Sequence, residues 1–183
     1  MKTAPTLHTE RLILRSFTPE DAADVQKLAN DPDMASTTDE IEYPYEDGKA
    51  EEWIQWCQKC FANGERVNFA VTLRTDGTLI GKVSLLFLVH LARKSAELGY
   101  WIGKPYWNCG YATEAAKAVV AYGFREHDVD LIYAYYFKRN PVSGRVLEKI
   151  GMRYVEYIPK DQKRYFFEDT IQCRILKCEF IKK

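Results

Sequence analysis

Residues 104–115, Lys104-Pro105-Tyr106-Trp107-Asn108-Cys109-Gly110-Tyr111-Ala112-Thr113-Glu114-Ala115, carry the chain out of one periodicity and into another. Upstream, Ser95 to Gly103 (SAELGYWIG) reads as a strand; downstream, Ala112 to Arg125 places Ala115, Ala116, Val119 and Val120 on one helical face. The segment is therefore a strand-to-helix turn. The first N–H groups of a helix have no internal partner and lie at the positive end of its dipole, so such a turn receives an anion where the backbone is bare. Gly110 and Ala112 keep it bare. Read alone, the same glycine also suits an ordinary βα turn. Neither G-x-x-x-x-G-K-[ST] nor G-x-G-x-x-G occurs, which argues against a P-loop or a dinucleotide enzyme.

Working outward, Leu131 to Phe137 is a further strand, and Asn140-Pro141 supplies an N-cap and a first-turn proline. The helix that follows turns Val142, Val146 and Ile150 inward and stops at Gly151. These β-α-β steps predict parallel central strands. Towards the N-terminus, Arg11 to Arg15 is a strand, and Thr18-Pro19-Glu20-Asp21 opens a helix reaching Asn30. Asp31 to Tyr45, with Pro32 and Pro44, reads as loop. Trp53, Cys57, Cys60 and Phe61 recur at helical spacing before Gly64. Phe69 to Leu73 and Leu79 to Leu88 form a hairpin about Asp76-Gly77, followed by a basic loop, His90 to Lys94. Met152 to Ile158 and Thr170 to Ile181 are the last strands. The order predicts a single α/β domain over residues 1–183, with a mixed sheet of about seven strands and helices on both faces.

The 183 residues are 46% hydrophobic and 28% charged, enough for one sizeable core. Twenty-six basic residues balance 26 acidic ones, so no global charge argues for a nucleic-acid or membrane surface. No apolar run approaches the roughly 18 residues of a spanning helix, and the opening MKTAPTLHTER lacks a signal peptide's apolar block. A cytoplasmic protein with reduced thiols is expected from this and from the odd count of five cysteines. Cys57-Gln58-Lys59-Cys60 fits the apolar stripe of its helix. Zinc would need about four ligands, with Cys173 and Cys178 as the second pair, and no metal is expected. His8, His90 and His127 share no ligand spacing. Tyr133, Tyr135, Tyr136 and Phe137 read as sheet core in preference to a base-stacking platform.

Taken together, the segments resemble the GNAT superfamily of acyl-CoA-dependent N-acetyltransferases, and within it the ribosomal-protein alanine N-acetyltransferase branch. Thr9-Glu10-Arg11-Leu12-Ile13-Leu14-Arg15 resembles that branch's first strand, and Glu97-Leu98-Gly99-Tyr100-Trp101-Ile102 its fourth. Gly110-Tyr111-Ala112-Thr113-Glu114-Ala115 is similar to its pyrophosphate loop and helix, and Asn140-Pro141-Val142-Ser143 through Lys149-Ile150-Gly151-Met152 to the helix closing the coenzyme site. The resemblance spans essentially the whole chain and implies a mostly antiparallel GNAT sheet and acetyl-CoA as cosubstrate. It also implies an amine-bearing acceptor, such as a protein N-terminus, a polyamine or an aminoglycoside, and a monomer or homodimer. Its coenzyme-binding positions fall on Leu98, Gly99, Tyr100, Trp101, Trp107, Asn108, Cys109, Gly110, Tyr111, Ala112, Thr113, Asn140 and Ser143. Two departures stand out. Trp107 occupies the superfamily's Gln/Arg position in the loop, and Leu147 the place of the tyrosine that protonates the leaving thiolate; a hydrocarbon has no proton to give. Ser143 matches a serine that lies near the coenzyme sulfur in the resembled branch.

Attack on a thioester needs a neutral amine, yet model α-amino and lysine groups have pKa values of ~7.7–8 and ~10.4. Glu97, a strand carboxylate beside an apolar groove, is the candidate base through water; it is equally suited to orienting substrate or pairing with a basic residue. Strand N–H groups around Leu98 to Trp101 are candidates to polarise the thioester carbonyl. Ser143 is the candidate donor to the thiolate. Loss of chemistry with retention of the cleft, giving a coenzyme-binding sensor, is the alternative that Leu147 motivates. Asp39, Glu40, Glu42, Glu46 and Asp47 form either an acidic groove for polycations or a solvated surface. Arg164 to Asp169 is either a lining of the acceptor groove or a plain connection.

Overall fold

The computed structural model describes residues 4–88, 94–160 and 168–181. Eight strands form one sheet: β1 (Leu7–His8), β2 (Leu12–Arg15), β3 (Arg66–Leu73), β4 (Leu79–Leu88), β5 (Ser95–Ile102), β6 (Leu131–Phe137), β7 (Arg153–Ile158) and β8 (Thr170–Leu176). Their spatial order is β1-β2-β3-β4-β5-β6-β8-β7, and all neighbours are antiparallel except β5 and β6. The helices are α1 (Ala22–Ala29), α2 (Pro32–Ala35), α3 (Lys49–Ala62), α4 (Tyr111–Glu126), α5 (Pro141–Lys149) and α6 (Lys177–Ile181).

The expected elements form where local chemistry is strong. Thr18 and Asp21 make a capping box ahead of α1, with Pro19 in its opening 3₁₀ turn, and the Asn140 side chain caps α5 by accepting from the Ser143 N–H. The mixed sheet is as expected, with one strand beyond the expected number, and two other expectations need correction. The sheet has eight strands, the extra one being the two-residue β1, too short to carry a pattern. The loop 31–45 contains α2: Asp31 accepts from the Asp33 and Met34 N–H groups, and Met34 is buried. Its prolines look like breakers, yet Pro32 sits at a first helical position, where its missing N–H costs nothing. The last strand ends at Leu176 and turns into α6, its Phe180 ring tilted against Phe124 of α4. Residues 90–93 of the basic loop, His90 included, and Arg164 to Phe167 lie outside the described residues.

Period-two alternation gives the sheet two different faces. One carries Val67, Phe69, Val83, Leu85, Ala96, Leu98, Ile132 and Ala134 against Ala115, Ala116, Val119 and Val120 of α4. At Gly123 of α4 the helix comes so close that an added Cβ would stand 2.7 Å from Leu85 Cδ1. The other face lies beneath α1 and α3. Part of it is apolar, with Ala70, Leu79 and Trp101 packed among Val25, Ala29, Met34, Ala50 and Ile54. Registers Asn68↔Ser84 and Ala70↔Lys82 place a polar set beside that cluster.

Parallel pairing of β5 with β6 is short: Ser95↔Leu131, Ala96↔Ile132 and Glu97↔Tyr133, and no further. Beyond Glu97, β5 keeps β4 on one side only, through Ile102. The sheet is thus open at the carboxyl ends of its two parallel strands, where α4 and α5 begin, the usual position of a binding crevice in such sheets.

Candidate active site

On the α4 side of this opening lies a cavity of about 330 Å³. Strand β5 contributes Tyr100 and Trp101, the turn and helix start contribute Trp107, Asn108, Gly110, Tyr111, Ala112 and Thr113, and α5 contributes Asn140, Ser143, Arg145 and Lys149. Gly110 is the N-cap of α4 with φ +81° and no side-chain cap, so no N-cap side chain takes up the first-turn N–H groups. Asn108 also has positive φ, 60°, which shapes the bend ahead of it. The bare helix start opposite the Arg145 and Lys149 cations suits a diphosphate. Trp107, at the position where a phosphate-binding side chain was expected, turns its indole back to donate to the Ile102 carbonyl, locking the exit from β5.

Turn and first strand are clasped together. The Glu114 carboxylate accepts from Thr9 Oγ1 at 2.6 Å, the Arg11 N–H at 2.8 Å and Arg11 Nε at 2.7 Å, while Arg11 Nη1 donates to the Cys109 carbonyl at 2.9 Å. The Arg11 guanidinium also lies 4.6 Å from the Tyr111 ring centroid. Burial pushes the Glu114 carboxyl up, and its Thr9 and Arg11 donors more than reverse this. The resemblance pointed to both segments; the structure supplies the physical link between them.

On the α1–α3 side lies a second cavity of about 90 Å³, lined among others by Thr38, Asp39, Glu40, Glu97, Gly99, Tyr135 and Phe137. Thr37, Tyr100 and Ser143 line both cavities, so these three stand where the two meet. The Tyr100 hydroxyl is 2.8 Å from Ser143 Oγ and donates to the Ser143 carbonyl at 3.1 Å. Burial pushes the Tyr100 phenol well up, against the pull of that hydrogen bond, so it stays protonated across the ordinary pH range. Leu147 is fully buried in the core, while the Tyr100 and Ser143 hydroxyls stand at the junction of the two cavities.

Burial also raises Glu97 above the usual carboxylate range; Arg66 pulls the other way, Asp39 and Glu40 add to the rise, and a Tyr133 hydrogen bond lowers it. Behind Glu97 stands a group that the sequence did not reveal. Glu40 receives Lys82 Nζ on Oε2 and Arg66 Nη1 on Oε1 at 2.9 Å. Lys82 is 1% exposed. Burial pushes the Glu40 carboxyl up, but the two cations outweigh it and hold the group at about 2. Asn68, 5% exposed on the same face, has no hydrogen-bond partner for either amide atom among the described residues.

Of the positions expected on the coenzyme, Leu98 and Gly99 line the second cavity next to Tyr100 at the junction, and Cys109 lines neither; its carbonyl belongs to the Arg11 clasp. Tyr135, Tyr136 and Phe137 line the second cavity instead of filling the core, because pairing with β5 stops before them. Val142 is 49% exposed and lines the first cavity, leaving Leu147 and Ile150 as the buried stripe of α5. Cys57 and Cys60 are buried on α3, where burial pushes the Cys57 thiol up to about 12. Cys173 lies on β8 and Cys178 on α6, and no group of three potential metal ligands occurs among the described residues. His127 stacks on Phe87 and contacts the Tyr122 hydroxyl at 2.8 Å. Glu168 at the end of the 164–169 connection pairs with Arg139. Among the described residues no helix is long and apolar enough to cross a membrane.

The open mixed sheet thus carries two joined cavities at the carboxyl ends of its parallel strands, the larger one at the uncapped start of α4. Residues 11–153 match the acetyltransferase (GNAT) domain, and the chain belongs to that family. It is 33% identical to an uncharacterized N-acetyltransferase, YnaD, of Bacillus subtilis over 149 residues, 79% of this chain and 81% of the relative. A GNAT-family acetyltransferase from Bacillus anthracis superposes with a TM-score of 0.78 at 30% identity, covering 94% of this chain and 99% of that one. The ribosomal-protein-S5-alanine acetyltransferase of Vibrio fischeri shares the fold, with a TM-score of 0.81 at 18% identity over 95% and 97% of the two chains. Family membership makes the protein an N-acetyltransferase, with acetyl-CoA use implied by the fold.

Proposed function

We propose that the protein transfers the acetyl group of acetyl-CoA directly to a primary amine, a protein N-terminal α-amine or a small-molecule amine, within a ternary complex. The observation that carries this is the meeting of two cavities at Thr37, Tyr100 and Ser143, one opening on the α4 helix start and the other on Glu97. A thioester delivered from the first side meets an amine delivered from the second. Glu97 takes the amine proton through water; burial raises its pKa, which makes it a better proton acceptor than an exposed carboxylate. The β5 edge beyond Glu97 has no β6 ladder, which leaves backbone N–H groups near Leu98 to Trp101 to stabilise charge developing on the carbonyl oxygen. Ser143 donates to the departing thiolate, and the Tyr100 phenol, bonded to the Ser143 carbonyl and 2.8 Å from its Oγ, holds the serine there, the pair filling the place that Leu147 leaves. No activated Cys or Ser nucleophile stands at the junction among the described residues, in keeping with direct transfer.

The test follows thiol release from acetyl-CoA with a panel of amines and ribosomal-protein N-terminal peptides. Turnover that depends on the amine supports the reading. Tight coenzyme binding by calorimetry, without thiol release on any of them, overturns it in favour of a coenzyme-binding sensor.

A further inference from the structure

The loop between α2 and α3 carries five carboxylates, but they do not form an acidic groove. Glu42 and Glu46 pair with Lys49 at the surface, and Asp47 lies within reach of the Gln26 amide. Only Asp39 and Glu40 line the second cavity, where Glu97 joins them. Of these, Glu40 is already committed to Lys82 and Arg66, which stand behind it and outside the lining. Three carboxylates facing two cations leave at most one net negative charge for an acceptor to meet.

The cations cannot move away to release more. Lys82 is sealed in the sheet at 1% exposure, and Arg66 is held at 18% with its guanidinium 5.3 Å from the Trp56 ring centroid. They also lie close beneath the floor. At Gly99, which lines the cavity, a built Cβ would stand 3.2 Å from Ser84 Oγ, 3.8 Å from Lys82 Nζ and 3.9 Å from Glu40 Oε1. Lacking a side chain, Gly99 therefore leaves the buried ammonium close beneath the cavity floor, beside Ser84 and Glu40.

Resting on the acetyl-transfer reading above, we infer that the Glu40–Lys82–Arg66 triad makes the acceptor pocket selective for amines carrying a single positive charge and an uncharged body, and against polyamines. One ammonium finds Asp39 and Glu97. A second, brought into the same cavity, finds no free carboxylate and meets the field of Lys82, and desolvating an uncompensated charge is costly. The remaining wall, Tyr100, Tyr135, Tyr136 and Phe137, offers rings and hydroxyls suited to an uncharged body such as an aryl or peptide group.

The test compares kcat/KM for phenethylamine and for a short peptide with an uncharged N-terminal residue against spermidine, in the wild type and in Lys82→Met. The wild type is expected to favour the monoamines at least about tenfold. Lys82→Met keeps the buried volume and frees one carboxylate charge, so the ratio shifts towards spermidine by roughly 10–100-fold, mainly through KM, and the shift shrinks at high salt. If Lys82→Met does not fold, Arg66→Gln, at a half-buried site, is expected to shift the ratio in the same direction. Wild-type preference for spermidine, or an unchanged ratio in a folded variant that still binds coenzyme, overturns the inference. Amine affinity by calorimetry on the CoA-bound protein reads the same selectivity without turnover. Absent thiol release combined with selective monoamine binding overturns the catalytic reading and leaves the selectivity standing.

Discussion

On the face of the sheet that carries α4, the central strands present Val67, Phe69, Val83, Leu85, Ala96 and Leu98, all at 0–2% exposure; on the opposite face, the same strands present Arg66, Asn68, Lys82, Ser84 and Glu97. The first set is close-packed hydrocarbon that fixes where the α4 N-terminus points, and its contribution does not depend on proton equilibria. The second buries charge against charge, so its geometry is tied to ionisation. Because the β5–β6 ladder ends at Glu97, the two environments meet through the sheet, and our proposal puts acetyl transfer at that meeting. An apolar, close-packed face under α4 and a face that buries charge under α1 and α3 follow from one alternating pattern.

The strongest way to break this contrast is at Glu97. Glu97→Gln should preserve coenzyme affinity while lowering turnover by on the order of 10²–10⁴, with the loss shrinking as rising pH deprotonates the amine without help. A pH–rate profile of wild type and variant checks it; a deficit constant with pH would leave Glu97 a positioning group. Next in size, Ser143→Ala should reduce turnover by roughly 10–10³ with unchanged coenzyme affinity. Adding Tyr100→Phe should cost much less than its single effect, since Tyr100 acts through the Ser143 hydroxyl. Full additivity in that double-mutant cycle would separate the two groups.

The charged face makes a prediction about stability as well. Glu40 is held at about 2, below the ~4.3 of an unfolded glutamate, so its stabilisation is fully present above the unfolded value and is lost as pH falls towards 2. Glu40→Gln, which strands the buried Lys82, should cost about 1–3 kcal/mol at neutral pH, discounted because 31% of the Glu40 side chain is exposed. The difference from wild type should close between about pH 4.3 and 2, as read by denaturant melts over that window. The smallest effect belongs to the neutral side. At Gly110 an added Cβ meets only Arg11 Nη2 at 3.5 Å, so space is adequate and the obstacle is the positive φ. Gly110→Ala should cost about 1 kcal/mol of stability and lower coenzyme affinity a few-fold, both independent of pH. A pH-dependent loss there would break the division between the two faces.

What the sequence determined by itself is whatever depends on neighbours in the chain. Alternation at Phe69, Val71 and Leu73, the Asn140-Pro141 cap and the Gly110 turn are short-range effects of backbone sterics and orphaned N–H groups, and they sufficed for the α/β class, the parallel pair and the strand-to-helix turn before α4. The polar side was only partly legible. A lysine and a serine two apart within Leu79–Leu88, at Lys82 and Ser84, break an apolar run on one face, which is a usable signal; nothing local says that the carboxylate meeting Lys82 is Glu40, 42 residues away. The loop carboxylates Glu40, Glu42 and Glu46 look alike in sequence, and only folding buries one against Lys82 while pairing the others with Lys49. The Tyr100–Ser143 contact spans 43 residues, and the aromatic run from Tyr135 to Phe137 becomes cavity wall because a ladder ends two residues earlier. Caps and periodicity act within a few residues, whereas the choice of partner for a buried charge is decided by which strands lie side by side, and that exists only in three dimensions.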